Sequence, residues 1–224
     1  MTLNTDALIE RRRHQLLRRA LGLEYATIGW NVGEAVLTIS LGVVAGSLAL
    51  IGFGSVSIIE VFASSVVVWY LIPSRTGDGP EKTIRALRLV AVAFAALAVA
   101  VTIASVRDLV TARHPGESLW GIAYLAVTAL VMFGLAMAKH RLADQLQSAP
   151  LRSEATMTFL DGVLSTATMT GLALNAALGW WWADPAAALL VGIAAANEAR
   201  ENWQEAAKLL DGTRSGACSA APTG

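Results

Sequence analysis

Apolar runs of about twenty residues recur along the chain, the length an α-helix needs to cross a hydrocarbon core of ~30 Å. Six are predicted, over 25–45, 47–72, 87–106, 119–138, 155–178 and 183–198. The sixth is the shortest, following Trp180-Trp181-Trp182 and ending at Asn197 and Glu198. The pattern predicts an all-α membrane protein with six transmembrane helices. Residues 1–22 read as a basic cytoplasmic arm or interfacial helix, and 23–205 as one membrane domain. Residues 206–224 are small and polar and read as a disordered cytoplasmic tail.

Pro73 and Pro80 with Gly77 and Gly79 break any helix between the second and third segments. Segments 73–86 and 139–153 read as polar loops on one side of the membrane, and 107–118 as the one longer loop on the other. Of the 17 Lys and Arg, all but Arg107 and Arg113 then fall on the side of the N-terminus. That bias places both termini in the cytoplasm, which requires an even number of spans. The three tryptophans fall at the outer interface, where amphipathic rings prefer to lie. Gly29-x-x-x-Gly33 and Gly42-x-x-x-Gly46 in the first span suit close helix packing, read as ordinary contacts within the bundle ahead of a dimer face.

Composition agrees. The chain is 55% apolar and 15% charged, outside the range of soluble domains. Net charge is zero, so nothing points to nucleic acid as a partner. The basic cluster Arg11-Arg12-Arg13 leads into a full-length span without a small-residue cleavage site, unlike a secretory signal. Cys218 is the single cysteine, so there is no disulfide framework and no cysteine metal motif. His14, His114 and His140 all sit in polar flanks.

The informative residues are two lone acids, Glu60 in the second span and Asp161 in the fifth. An ionised acid at membrane depth costs about 2.5 kcal/mol or more, so it faces a polar interior and marks an ion or proton path. Glu154, Thr158 and Asp161 stand at i, i+4 and i+7 on one stripe, with Met157 four residues before Asp161. Ser57 and Glu60 share a face of the second span, and Asn31 and Glu34 a face of the first. Carboxylates suit hard and borderline divalent cations, and a thioether tolerates softer ones. The candidate ligands are therefore Glu60, Asp161, Ser57 and Met157. Asn31, Glu34, Glu154, Thr158 and Asp184 are candidate supporting or proton-relay groups. Plainer roles compete: a neutral acid can bond a neighbouring helix, and Glu154 can be a first-turn acid favoured by the helix dipole. Asp184-Pro185 reads as an N-cap followed by proline, and Asn175 as a cap at the outer end of the fifth span.

The stretch GSLALIGFGSVSIIEVFASS, the acid in the fifth span and the Trp182-Ala183-Asp184-Pro185 approach to the sixth resemble the cation diffusion facilitator superfamily. The chain is most similar to its small bacterial cation-transporter branch, whose second helix typically reads Gly-Phe-Gly-x-Asp-Ser-x-Ile-Glu. The resemblance covers about residues 10–205 and implies six helices with a divalent-cation site between the second and fifth. It also implies efflux coupled to proton influx, in a homodimer. The family's paired acids of the second helix map onto Val56 and Glu60, and the fifth-helix pair onto Met157 and Asp161. This chain keeps the second member of each pair and lacks the first. It ends soon after Glu205, so the family's C-terminal cytoplasmic domain is expected to be missing and any dimer to form through the membrane helices.

The leading expectation is a secondary transporter that exports a divalent metal, zinc foremost, from the cytoplasm by proton antiport. Its expected partners are the bilayer, divalent cations and protons, with the metal as transported substrate and no permanently bound cofactor. It is expected to lie in a bacterial inner membrane. Val56 motivates the alternative, a degenerate member that no longer transports and serves as a membrane interaction protein. No nucleophile–base pair or phosphate loop within the spans suggests an enzyme.

Overall fold

The computed structural model of the chain describes residues 2–44, 48–73, 79–112 and 119–219. Among them are six α-helices and no strand: α1 Thr2–Val44, α2 Leu48–Leu71, α3 Pro80–Val110, α4 Leu119–Leu146, α5 Ala149–Leu178 and α6 Ala183–Ser219. The all-α, six-helix expectation holds. Gly46, Arg75, Gly77, Arg113 and His114 lie outside the described residues.

Local chemistry sets the helix ends. Pro80 opens α3 after an extended Gly79. Its missing N–H is one that the first turn leaves unbonded anyway. The Ser148 hydroxyl caps α5 by accepting the Leu151 N–H at 3.3 Å. Gly179 ends α5 at φ 70°, and its N–H donates to the Asn175 carbonyl at 2.9 Å. Glycine adopts that left-handed conformation without steric penalty. The cap is therefore Gly179, and Asn175 only supplies a carbonyl to it.

The helices run past the predicted spans. Residues 2–22 are the first half of one continuous 43-residue helix, ~65 Å long at 1.5 Å per residue and so far longer than the membrane is thick. Only Gln147 and Ser148 separate α4 from α5, so the polar loop expected over 139–153 is mostly helix. The tail expected to be disordered from residue 206 is helical through Ser219. In each case polarity ends contact with lipid without ending backbone hydrogen bonding.

The bundle is apolar outside and polar inside. Leu130, Leu190 and Ile193 are exposed, whereas Glu24, Asn31, Ser64 and Lys139 are fully buried. In water that distribution would forfeit most of the hydrophobic stabilisation. In lipid it is the favourable one, because tails solvate Leu and Ile but cannot satisfy a carboxylate. Among the described residues, four helices, α2 to α5, carry stretches long and apolar enough to cross a membrane. Helix α1 is more polar because its inner face is.

Helices pack chiefly as α1 on α2, α4 on α5 and α3 on α6, with α5 also touching α6. One apolar cluster joins them, including Val67, Val90, Phe94, Leu151, Met157 and Leu164. Gly171 lets α5 approach the start of α6: a Cβ there would lie 2.8 Å from Asp184 Cα and 2.9 Å from its nitrogen. Gly29 and Gly33 behave differently from the expectation of packing within the bundle. Both lie on an exposed face of α1, and a Cβ on either would meet nothing within 4 Å.

Gly171→Val is expected to destabilise the bundle by about 1–3 kcal/mol through overpacking. Gly29→Ala should leave stability unchanged or slightly raised. Thermal unfolding of the two variants in detergent distinguishes them.

Candidate cation site

Three helices turn a polar stripe inward. On α1 it comprises Glu24, Thr27, Asn31, Glu34 and Thr38, spaced three or four apart on one face. On α5 it is Glu154, Thr158, Asp161 and Ser165, and on α2 Ser57, Glu60 and Ser64. All of these are buried, none more than 5% exposed. The predicted Glu154–Thr158–Asp161 stripe is thus a single inward face.

At the middle of the bundle, Asn31 Nδ2 donates to Glu60 Oε2 at 3.1 Å. Glu34 accepts two hydrogen bonds, from Ser57 Oγ at 2.9 Å and from the Tyr124 hydroxyl at 2.6 Å. The first-span pair Asn31 and Glu34 therefore reaches the second-span pair Ser57 and Glu60 residue by residue. Asp161 and Glu34 both lie within Coulombic range of Glu60, and Glu34 within range of Asp161. Among the described residues, three oxygens here are buried without a hydrogen-bond partner: Glu60 Oε1, Asn31 Oδ1 and Asp161 Oδ2. A buried polar atom without a partner costs roughly 1–3 kcal/mol, and more when it is charged. Among the described residues, no group of three or more His, Cys, Asp or Glu is arranged to hold a metal ion. What the middle level offers is a sparse oxygen set: three carboxylates, the Asn31 amide oxygen and the Ser57 hydroxyl.

Met157 and Val56 are both buried in the apolar cluster, Met157 at 1% exposure and Val56 at 7%. Asp184 stands in the first turn of α6 rather than before it, so it is not the N-cap. It faces Thr168 of α5, and its Oδ1 is buried without a partner among the described residues.

A second cluster lies toward the start of α1 and α5. The Lys139 ammonium, fully buried, donates to Glu154 Oε1 and Oε2 at 2.7 Å each, to Glu24 Oε2 at 3.2 Å and to Thr158 Oγ1 at 3.3 Å. Ser64 Oγ donates to Glu154 Oε1 at 2.8 Å, and Thr158 Oγ1 to the same oxygen at 3.1 Å. One ammonium thus ties α4 to α1 and α5, with α2 joined through Ser64. The first-turn role expected for Glu154 gives way to this: α5 begins at Ala149, and Glu154 is buried against Lys139.

Sequence reasoning passed over Lys139, Glu24 and Tyr124. Lys139 stands in Lys139-His140-Arg141, which looks like an ordinary basic flank at the inner end of a span. Glu24 adjoins the polar arm. The signal that would have found Glu24 is the three-and-four spacing of polar residues on α1, which starts there and not at Asn31.

The family model for the cation efflux transmembrane domain matches residues 25–210. No curated protein matches the chain at a significant level.

Lys139→Met strands two buried carboxylates and is expected to cost about 3–5 kcal/mol. Neutralising the partners in the same protein, with Glu24→Gln and Glu154→Gln, should recover most of that loss. Unfolding midpoints of the single and triple variants measure the difference.

Proposed function

The chain belongs to the cation efflux family and is a membrane cation transporter, and from that premise we propose that it exports a divalent cation, zinc foremost, in exchange for protons at Glu60 and Asp161. The observation that carries the reading is the pair of orphaned carboxylate oxygens, Glu60 Oε1 and Asp161 Oδ2, buried between packed helices. Among the described residues nothing satisfies them, whereas a cation or a proton would.

Charge balance supplies the coupling. Two buried carboxylates form a neutral unit with one divalent cation or with two protons. Either occupant removes the cost of an uncompensated charge in lipid. The site therefore trades one for the other without carrying net charge through the bundle, and rocking of helix groups exposes it to each side in turn. Ser57 supplies a hydroxyl and Met157 a thioether one turn before Asp161. Oxygen-dominated ligation suits hard and borderline divalent ions. Asn31 and Glu34 hold Glu60 and Ser57 in place from α1, and Thr158, one turn before Asp161, donates to Glu154. Asp184 supports the α5–α6 contact. The protein lies in a bacterial inner membrane with both termini in the cytoplasm, as the sorting of Lys and Arg suggests. It acts as a homodimer through its membrane helices, for which the open Gly29–Gly33 face of α1 is suited.

Val56 favours a second reading. It stands in the apolar cluster at a position where the resemblance implies an acid, which suits a member that has given up transport and serves as a membrane interaction protein.

In proteoliposomes with an imposed pH gradient, Glu60→Gln and Asp161→Asn are each expected to reduce zinc flux to the protein-free background. Undiminished flux in a folded variant removes that residue from the site. If native protein carries no flux and Val56→Asp restores zinc binding, the second reading stands. Exchange of one divalent cation for two protons is electroneutral, so a membrane potential imposed without a pH gradient should drive no flux. Potential-driven flux would exclude that stoichiometry.

A further inference from the structure

We propose that Lys139, Glu24 and Glu154 form the cytoplasmic gate of the transport path, with the Lys139 ammonium occupying the carboxylates that an arriving cation meets first. The inference rests on the transport reading above and adds residues that the resemblance does not supply.

Position comes first. Helices α1 and α5 run in one direction across the membrane, and α2 and α4 in the other. Glu24 precedes Asn31 by seven residues on α1, and Glu154 precedes Asp161 by seven on α5. Seven residues are ~10 Å of helix. On α2, Ser64 follows Glu60 by one turn. All three helices therefore put the ion cluster on the same side of the Glu60–Asp161 level. It is the side of the Lys/Arg-rich segments, hence of the cytoplasm.

Closure is the second observation. Four helices meet at the cluster through contacts of 2.7–3.3 Å, α1 and α5 on the α4 ammonium and α2 on Glu154 through Ser64, with the Lys139 and Glu24 side chains fully buried and that of Glu154 2% exposed. Immediately inward lies an apolar layer. Ala20 is one turn before Glu24, Leu142 and Ala143 one turn after Lys139, and Leu151 about one turn before Glu154. All four belong to the same buried cluster. A hydrated cation coming from the cytoplasm thus meets an apolar constriction and then a fixed positive charge.

Continuity is the third. Beyond the cluster the polar stripe resumes at Thr27 and Thr158, and it leads to Asn31, Glu60 and Asp161. The arrangement keeps the carboxylate pair sealed from the cytoplasm until the ammonium leaves. It can leave only if α4 separates from α1 and α5, or if an incoming cation takes its place on Glu24 and Glu154. Lys139 is accordingly a positioning residue, acting on access rather than on the transported ion at its site.

The test reads access from one side. Thr27→Cys, placed between the cluster and Asn31 in a Cys218→Ser background, is exposed to a membrane-impermeant cationic thiosulfonate from the cytoplasmic face of inverted vesicles. With the cluster intact the thiol is protected, and Lys139→Arg, which keeps the charge, stays protected. In the triple variant Lys139→Gln, Glu24→Gln, Glu154→Gln, which strands no charge, cytoplasmic labelling should rise about tenfold or more, as expected when a closed population is released. Labelling from the opposite face should not change. Glu24→Gln alone, which leaves the Lys139–Glu154 pair, should give an intermediate rate. Cytoplasmic labelling equal in the native and triple backgrounds overturns the gate, as does an equal rise from both faces, which would mark general loosening. Labelling does not require transport. Absent zinc flux in native protein counts against the functional reading alone, and unchanged labelling beside normal flux counts against the gate alone.

Discussion

An ammonium group surrounded by lipid-facing helices has no water to fall back on, so it must find its anions within the protein. Lys139 finds two, Glu24 and Glu154, on two different helices. That requirement fixes more than one contact. Glu24 and Glu154 are held at one level, and each stands seven residues before a site residue, Asn31 on α1 and Asp161 on α5. Locking the acids to one cation therefore sets Asn31 and Asp161 at a common height, where Glu60 of α2 meets Asn31 directly. The register of the middle level is inherited from the ion cluster beneath it.

The two levels differ in their electrostatics. The inner one carries its own cation, whereas the middle one gathers Glu34, Glu60 and Asp161 without a basic residue among their hydrogen-bond partners. Glu34 is the best solvated of these acids, with one donor on each oxygen. Glu60 and Asp161 are the least, each with a carboxylate oxygen that finds no partner among the described residues. An interior that spends so much polar surface on α1 leaves that helix more polar than α2 to α5, which is why hydropathy alone recognises it poorly.

Most of the fold was legible because apolar runs of membrane length are hard to mistake. Glu60 and Asp161 stood out because each interrupts such a run far from either end. Asn31 and Glu34 followed from their spacing. Lys139 was hidden by its neighbours: a basic residue beside His140 and Arg141 satisfies the positive-inside pattern whichever way it points, and only tertiary packing turns it inward. Helix boundaries were misplaced for a related reason. Composition reports where lipid ends, but α1, α4 and α6 keep their backbone hydrogen bonds well beyond that plane. The Gly29–Gly33 spacing was read as packing within the bundle, but among the described residues nothing covers that face, because spacing alone does not say which side of α1 meets a neighbour.

The unbroken course of α1 from Thr2 to Val44 has a mechanical consequence. Its contacts with Lys139, Glu60 and Ser57 are made from Glu24, Asn31 and Glu34, three points on one rod. A continuous helix transmits axial and rotational displacement along its length, so these contacts move together. A tilt that withdraws Glu24 from the ammonium also drags Asn31 across Glu60. The basic first half of the same rod continues beyond the ion cluster, with Leu16, Leu17 and Ala20 still packed against the apolar core, so any displacement of that half reaches the cluster directly.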